Sequence, residues 1–123
     1  MSRRILICDD SATDRANLER IVRGQGFEVL LATSGQAGID CARQAQPDLI
    51  FMDVNMSEMD GFAATRQLNK DVATMRIPIV MVTSKGHKAD FVWARMQGAR
   101  GYVVKPYADA QIVEQLQVLL ELT

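Results

Sequence analysis

Five short segments of this 123-residue chain are apolar almost throughout: Ile5–Cys8, Phe27–Leu31, Leu49–Met52, Ile77–Val82 and Tyr102–Val104. Apolar runs of that length without polar alternation fit strands covered on both faces, as in a parallel sheet. Between them lie stretches long enough for helices, over residues 12–24, 35–45, 61–70, 87–97 and 109–121. In the first, Ala12, Ala16, Ile21 and Val22 trace one face while Arg15, Glu19, Arg20 and Arg23 are polar. In the last, Ile112, Val113, Leu116, Leu119 and Leu120 recur at helical spacing. Ser11-x-x-Asp14 has the form of a capping box with Asp in place of the usual Glu, and Gly24, Gly26, Pro47 and Gly98 supply stops. Five strands alternating with five helices predict an open α/β fold with a parallel sheet, because right-handed helical crossovers return each strand in the same direction. Ligands of such sheets bind beyond the carboxyl ends of the strands, so the chemistry belongs to the residues that follow each apolar run.

Composition narrows the classes. Fourteen Lys and Arg against fifteen Asp and Glu give a net charge of −1, which removes the basic excess that nucleic acid or an anionic membrane requires. No apolar run approaches the ~20 residues of a membrane span. Arg3-Arg4 is followed only by Ile5–Cys8 before Asp9-Asp10, too short for the about 7–15 apolar residues of an export signal. A cytoplasmic protein of one domain, residues 1–123, is expected. Cys8 and Cys41 form no ligand spacing and are expected to act as small apolar side chains in a reducing compartment.

The strand ends carry a coherent set. Asp9-Asp10 follow the first run, Asp53 the third, Thr83-Ser84 the fourth and Lys105-Pro106 the fifth. Adjacent strands lie about 4.8 Å apart, so these positions converge. Three carboxylates and one ammonium leave a local excess of two negative charges, which a divalent cation would cancel. Oxygen donors without His or Cys favour Mg²⁺, Mn²⁺ or Ca²⁺ over zinc, and the small ligand number points to Mg²⁺ sharing its shell with a phosphoryl oxygen. An Asp, a cation, a hydroxyl and a Lys together suit phosphoryl transfer, with one Asp as the nucleophile.

Here the chain resembles the response-regulator receiver domains, of the single-domain CheY type. The resemblance is carried by Asp9-Asp10, by Met52–Met56 followed by Asp60-Gly61, by Thr83-Ser84, and by Gly98-Ala99 through Lys105-Pro106. It implies a doubly wound sheet of order 2-1-3-4-5, shared with flavodoxins, and no output domain. It also implies phosphorylation of Asp53 by a histidine kinase or its phosphotransfer domain. Asp10, Asp53 and the Asn55 carbonyl would bind Mg²⁺, with Asp9 acting through a metal-bound water. Thr83 and Tyr102 would form the switch, and Lys105, before a typically cis proline, would clamp the phosphate. A downstream protein would read the face of helix 4, strand 5 and helix 5, so the chain is expected to be a phosphoacceptor rather than an enzyme with its own substrate. A narrower resemblance, to the chemosensory regulators of type IV pilus twitching motility, rests on Val92-Trp93, Arg95, Gln97–Arg100, Phe62 and Thr65–Leu68. A phosphate sink, a flagellar chemotaxis regulator and an unphosphorylated scaffold are the alternatives within the family.

Other readings fit less well. A phosphatase of the Asp-x-Asp type lacks its second acid, because Asn55 stands there, and Asp9-Asp10 would repel the phosphate of a flavin. Two departures from the receiver pattern and one position that varies within the family bear on behaviour. Ser57 replaces the usual proline, predicting a looser loop after Asp53. Gly38 replaces the alanine of a Glu-Ala pair, at a helix-propensity cost of about 1 kcal/mol. Lys85, two residues past Thr83, is expected with Asn55 to set the lifetime of the phosphorylated state. His87 opens a helix as a solvated residue, and Trp93 is either a partner anchor or a packed residue.

Overall fold

A computed structural model describes residues 2–121. Strands β1 (Arg4–Cys8), β2 (Glu28–Ala32), β3 (Leu49–Met52), β4 (Ile79–Thr83) and β5 (Gly101–Val104) alternate with five helices. These are α1 (Ala12–Gly24), α2 (Gly35–Ala45), α3 (Gly61–Lys70), α4 (Lys88–Gln97) and α5 (Asp109–Leu119). All strand pairs are parallel and the order is β2-β1-β3-β4-β5, as the receiver resemblance implied.

Alternation along each central strand divides the core into two layers. Ile5, Ile7, Leu49, Phe51, Val80 and Val82 point to α1 and α5. Leu6, Cys8, Ile50, Met52, Ile79 and Met81 point to α2, α3 and α4. All twelve are almost wholly buried, and each large one contributes about 1.5–3 kcal/mol by leaving water. The two edge strands depart from the sequence expectation of cover on both faces. Leu31 on β2 is 45 % exposed, and Gly101 and Tyr102 on β5 are half-buried. An edge strand has a neighbour on one side only, and its apolar run records propensity as much as burial. The other differences are at element ends. Pro78 cannot donate to a ladder, and Ile77 N–H closes a turn on Thr74, so β4 starts at Ile79. Helix α5 stops at Leu119 rather than 121, with Leu120 as its cap.

Gly38 has a packing reason that propensity alone hides. A Cβ there would lie 2.5 Å from the Sγ of Cys8, a side chain that is itself buried and pinned on β1. Small size at this site lets α2 seat against the sheet. Gly38→Ala is therefore expected to destabilise by about 1–3 kcal/mol despite its better helix propensity. The Cys8→Ala/Gly38→Ala double variant should recover part of that loss, as urea denaturation of the four-member cycle would reveal. A stabilising Gly38→Ala would contradict the packing account.

Candidate functional site

Register places the polar residues. Cys8 pairs with Met52 and Thr83 with Val104, so Asp9, Asp53 and Lys105 leave their strands at one end of the sheet. The backbone ties them further: Asp53 N–H donates to the Cys8 carbonyl at 2.9 Å and Lys105 N–H to the Thr83 carbonyl at 2.8 Å. Gly61 N–H bonds the Val54 carbonyl at 2.9 Å, and a Cβ at Gly61 would lie only 2.0 Å from the Asp53 carbonyl oxygen. The glycine is needed because the start of α3 presses on the backbone that carries Asp53. The loop with Ser57 in place of proline is closed by backbone bonds from Met56 to Val54 and from Met59 to Ser57, with Met56 buried beneath it.

Asp9, Asp10 and Asp53 each bring a carboxylate oxygen within 4.8 Å of the other two. Asp9 and Asp53 are buried and Asp10 is exposed. The donors are all oxygen, hard and anionic, which fits a divalent cation such as Mg²⁺ and not a zinc site. Asn55 follows Asp53 in the loop with its side chain exposed. Opposite the cluster stands Lys105, its peptide bond to Pro106 cis. Its Nζ donates to Asp14 at 2.8 Å, Asp9 at 3.0 Å and Asp53 at 3.5 Å.

Asp14 is the residue that sequence reasoning placed elsewhere. Ser11 does cap α1, its hydroxyl accepting from Asp14 N–H at 3.3 Å. The reciprocal half of the box is absent, because Ser11 N–H donates to the Asp9 carboxylate at 2.9 Å. The Asp14 carboxylate is thereby left to reach Lys105. The signal was present as an acid one methylene shorter than the Glu of a capping box, on the first turn after the Asp pair. Four carboxylates now face one ammonium, and the site carries three uncompensated negative charges instead of two. A bound divalent cation would leave one.

Burial and charge together set the electrostatics of the site. Burial and the neighbouring Asp9 charge push the Asp53 carboxyl up to about 6, against the opposing pull of Lys105. Burial alone would lower the Lys105 ammonium, but its bonds to Asp14 and Asp9 and the charges of Asp53 and Asp9 reverse this and hold it above its ordinary value. Thr83 is fully buried at the end of β4, and its Oγ accepts from Lys85 N–H at 3.2 Å. The Lys85 carbonyl accepts from Tyr102 Oη at 2.7 Å, and the Tyr102 ring meets Phe91 edge-on at 4.5 Å. The backbone of one residue thus joins both of the side chains expected to form the switch. His87 caps α4 from an exposed position, as expected, and Trp93 is exposed.

A raised Asp53 pKa has a sign in stability. The folded chain holds this proton more tightly than the unfolded chain, so ionisation costs stability above about pH 6 and the cost fades as pH falls towards the ordinary value of 3.8. In buffer free of divalent cations at pH 7.5, Asp53→Asn should be about 1–3 kcal/mol more stable than the parent by urea denaturation. The gap should close between pH 6 and 4, and adding Mg²⁺ should narrow it at pH 7.5. Equal stability of the two proteins throughout would refute the electrostatic account.

Comparison with known proteins agrees with this geometry. The family profile described as the response regulator receiver domain matches residues 5–117. The chain is 42% identical over 117 residues to protein PilH of Pseudomonas aeruginosa, covering 95% of this chain and 97% of PilH. It superposes on the chemotaxis protein CheY4 of Vibrio cholerae with a TM-score of 0.91 at 28% identity, covering 97% of this chain and 99% of that one. It matches equally, TM-score 0.91 at 26% identity and 98% and 99% coverage, the receiver domain of the sensor histidine kinase PA1611 of Pseudomonas aeruginosa, solved with magnesium in its active-site cleft. With the fold, the strand-end acids and the opposed lysine all in place, the chain belongs to the response regulator receiver domain family.

Proposed function

We propose that Asp53 accepts a phosphoryl group from a histidine kinase or its phosphotransfer domain, and that the chain signals by protein contact in the type IV pilus chemosensory pathway. The observation that carries the reading is the Lys105 ammonium, shared among three carboxylates beside the Asp cluster. The similarity to PilH along nearly the whole of both chains supports the pathway. Among the described residues no helix is long and apolar enough to cross a membrane, which is compatible with action in the cytoplasm.

An Asp53 carboxylate oxygen attacks phosphorus. The new O–P bond forms as the P–N bond to the donor histidine breaks, and the electron pair stays on the imidazole nitrogen. Asp10, Asp53 and the Asn55 carbonyl, with Asp9 acting through a water, would hold Mg²⁺, which when bound would supply positive charge against the phosphoryl oxygens. Lys105 supplies the second positive charge by leaving Asp14 for a phosphoryl oxygen. Thr83 turns its hydroxyl to another oxygen and gives up the bond from Lys85 N–H. The β4–α4 loop that tethers Tyr102 is then released, which shifts the population of the face around β5. Lys85 and Asn55 would tune the lifetime of the acyl phosphate.

Incubation with acetyl phosphate and Mg²⁺ tests the reading. Intact mass should rise by one phosphoryl group, lost on treatment with base, and Asp53→Asn should gain none. Lys105→Ala should still be labelled but should lose the coupled change at Tyr102. Labelling of Asp53→Asn to the parent's level would remove Asp53 from its role.

A further inference from the structure

Charge is distributed very unevenly along this nearly neutral chain. Residues 61–104 carry seven Lys and Arg against two Asp, whereas the remainder carries seven against thirteen Asp and Glu. Among the described residues none of those seven cations makes an ion pair, while Arg20, Arg23, Arg43 and Lys105 elsewhere all do. Of the two acids, Asp71 is already paired with Arg43 from α2, and Asp90 accepts from His87 N–H. Of these cations Arg66 and Lys70 of α3 line the space between α3 and α4, while Arg95 and Arg100 line a separate hollow against Tyr102.

The α3–α4 flank also exposes apolar side chains. Trp93 is 47 % exposed and Met96 68 % exposed, and both stand on the side of α4 that faces α3. Trp93 lines a groove of about 340 Å³ with Phe62, Arg66, Gln67 and Gln97, closed at one rim by Asp60, whose carboxylate is engaged by Ala63 N–H as the cap of α3. It also borders a neighbouring hollow of about 320 Å³ with Arg66, Asn69, Lys70 and Met96. The helices approach closely because Gly98 has no Cβ, which would lie 2.3 Å from the Asn69 side chain. The two sequence segments that carry the narrower resemblance, around Phe62–Leu68 and Val92–Arg100, are far apart in the chain and meet here. Neither contributes a residue to the acidic cluster or its lysine at the sheet end.

We propose that the α3–α4 groove is a docking site for an acidic amphipathic segment of a partner protein, with an apolar side chain against Trp93 and carboxylates at Arg66 and Lys70. An exposed Trp flanked by unpaired Arg and Lys has the composition of an interface centre, and the unanswered positive charge selects an acidic partner. A nucleic acid would answer the charge but not the apolar rim of Met96 and Phe62. This surface lies beyond the face of α4, β5 and α5, and it needs no phosphate at Asp53, so its test is independent of the phosphoryl reading.

Trp93 is the only tryptophan in the chain, so its fluorescence reports on the groove alone. Two synthetic helical peptides serve as probes, with Leu and Phe at the same i, i+4 and i+7 positions and either Glu or Lys at all others. The Glu peptide should bind saturably, move Trp93 emission to shorter wavelength and weaken as salt is raised. The Lys peptide should not bind. Arg66→Glu should weaken the Glu peptide at least about tenfold, whereas Arg23→Glu on the far face should leave it unchanged. Peptide anisotropy in Trp93→Phe gives a second readout that does not use the tryptophan. No saturable binding of the Glu peptide, equal binding of both peptides, indifference to Arg66→Glu, or stronger competition by an oligonucleotide would each overturn the proposal.

Discussion

Everything at the carboxyl end of this sheet is arranged around one shortage of positive charge. Asp9, Asp10, Asp14 and Asp53 crowd together, and a single ammonium, from Lys105, is shared among three of them. Two of the carboxylates are buried, and loss of water, with the Asp9 charge beside it, pushes the Asp53 carboxyl up to about 6. A site in that condition gains from a divalent cation and has a ready use for the mobile charge of Lys105. The chemistry of phosphoryl transfer, which is mostly positioning and neutralisation, matches what this crowding supplies.

The rest of the fold holds the crowding in place. Parallel register fixes which strand ends coincide, and the buried strands make a one-residue slip costly because it would turn each core side chain to the wrong layer. Gly61 lets α3 press on the Asp53 backbone, and Gly38 lets α2 seat over Cys8. Neither glycine is explained by helix propensity, and both are explained by what a Cβ would strike.

Much of this was legible in the sequence because the signals were local. Apolar runs marked β1, β3 and β4, and the residues just after them were the site. What escaped depended on tertiary placement. Asp14 fitted a helix-capping pattern, and only the position of Lys105 shows where its carboxylate goes. The half-exposed β2 resembles a core strand in sequence because side-chain type does not say which strand is at an edge. The link from Thr83 through the Lys85 backbone to Tyr102 uses peptide groups, which carry no residue signature. The overall net charge concealed two opposite stretches, an acidic sheet end and a cation-rich run over residues 61–104 from which Arg66 and Lys70 line the α3–α4 groove.

The central claim is that Lys105 is held in reserve by Asp14 and transferred to the phosphoryl group. A crystal structure with Mg²⁺ and beryllofluoride, which mimics the phosphoryl group on Asp53, measures this directly. The account predicts that Lys105 Nζ leaves Asp14 and lies within hydrogen-bond distance of a fluorine. An Nζ still on Asp14, with beryllofluoride bound at Asp53, would contradict it.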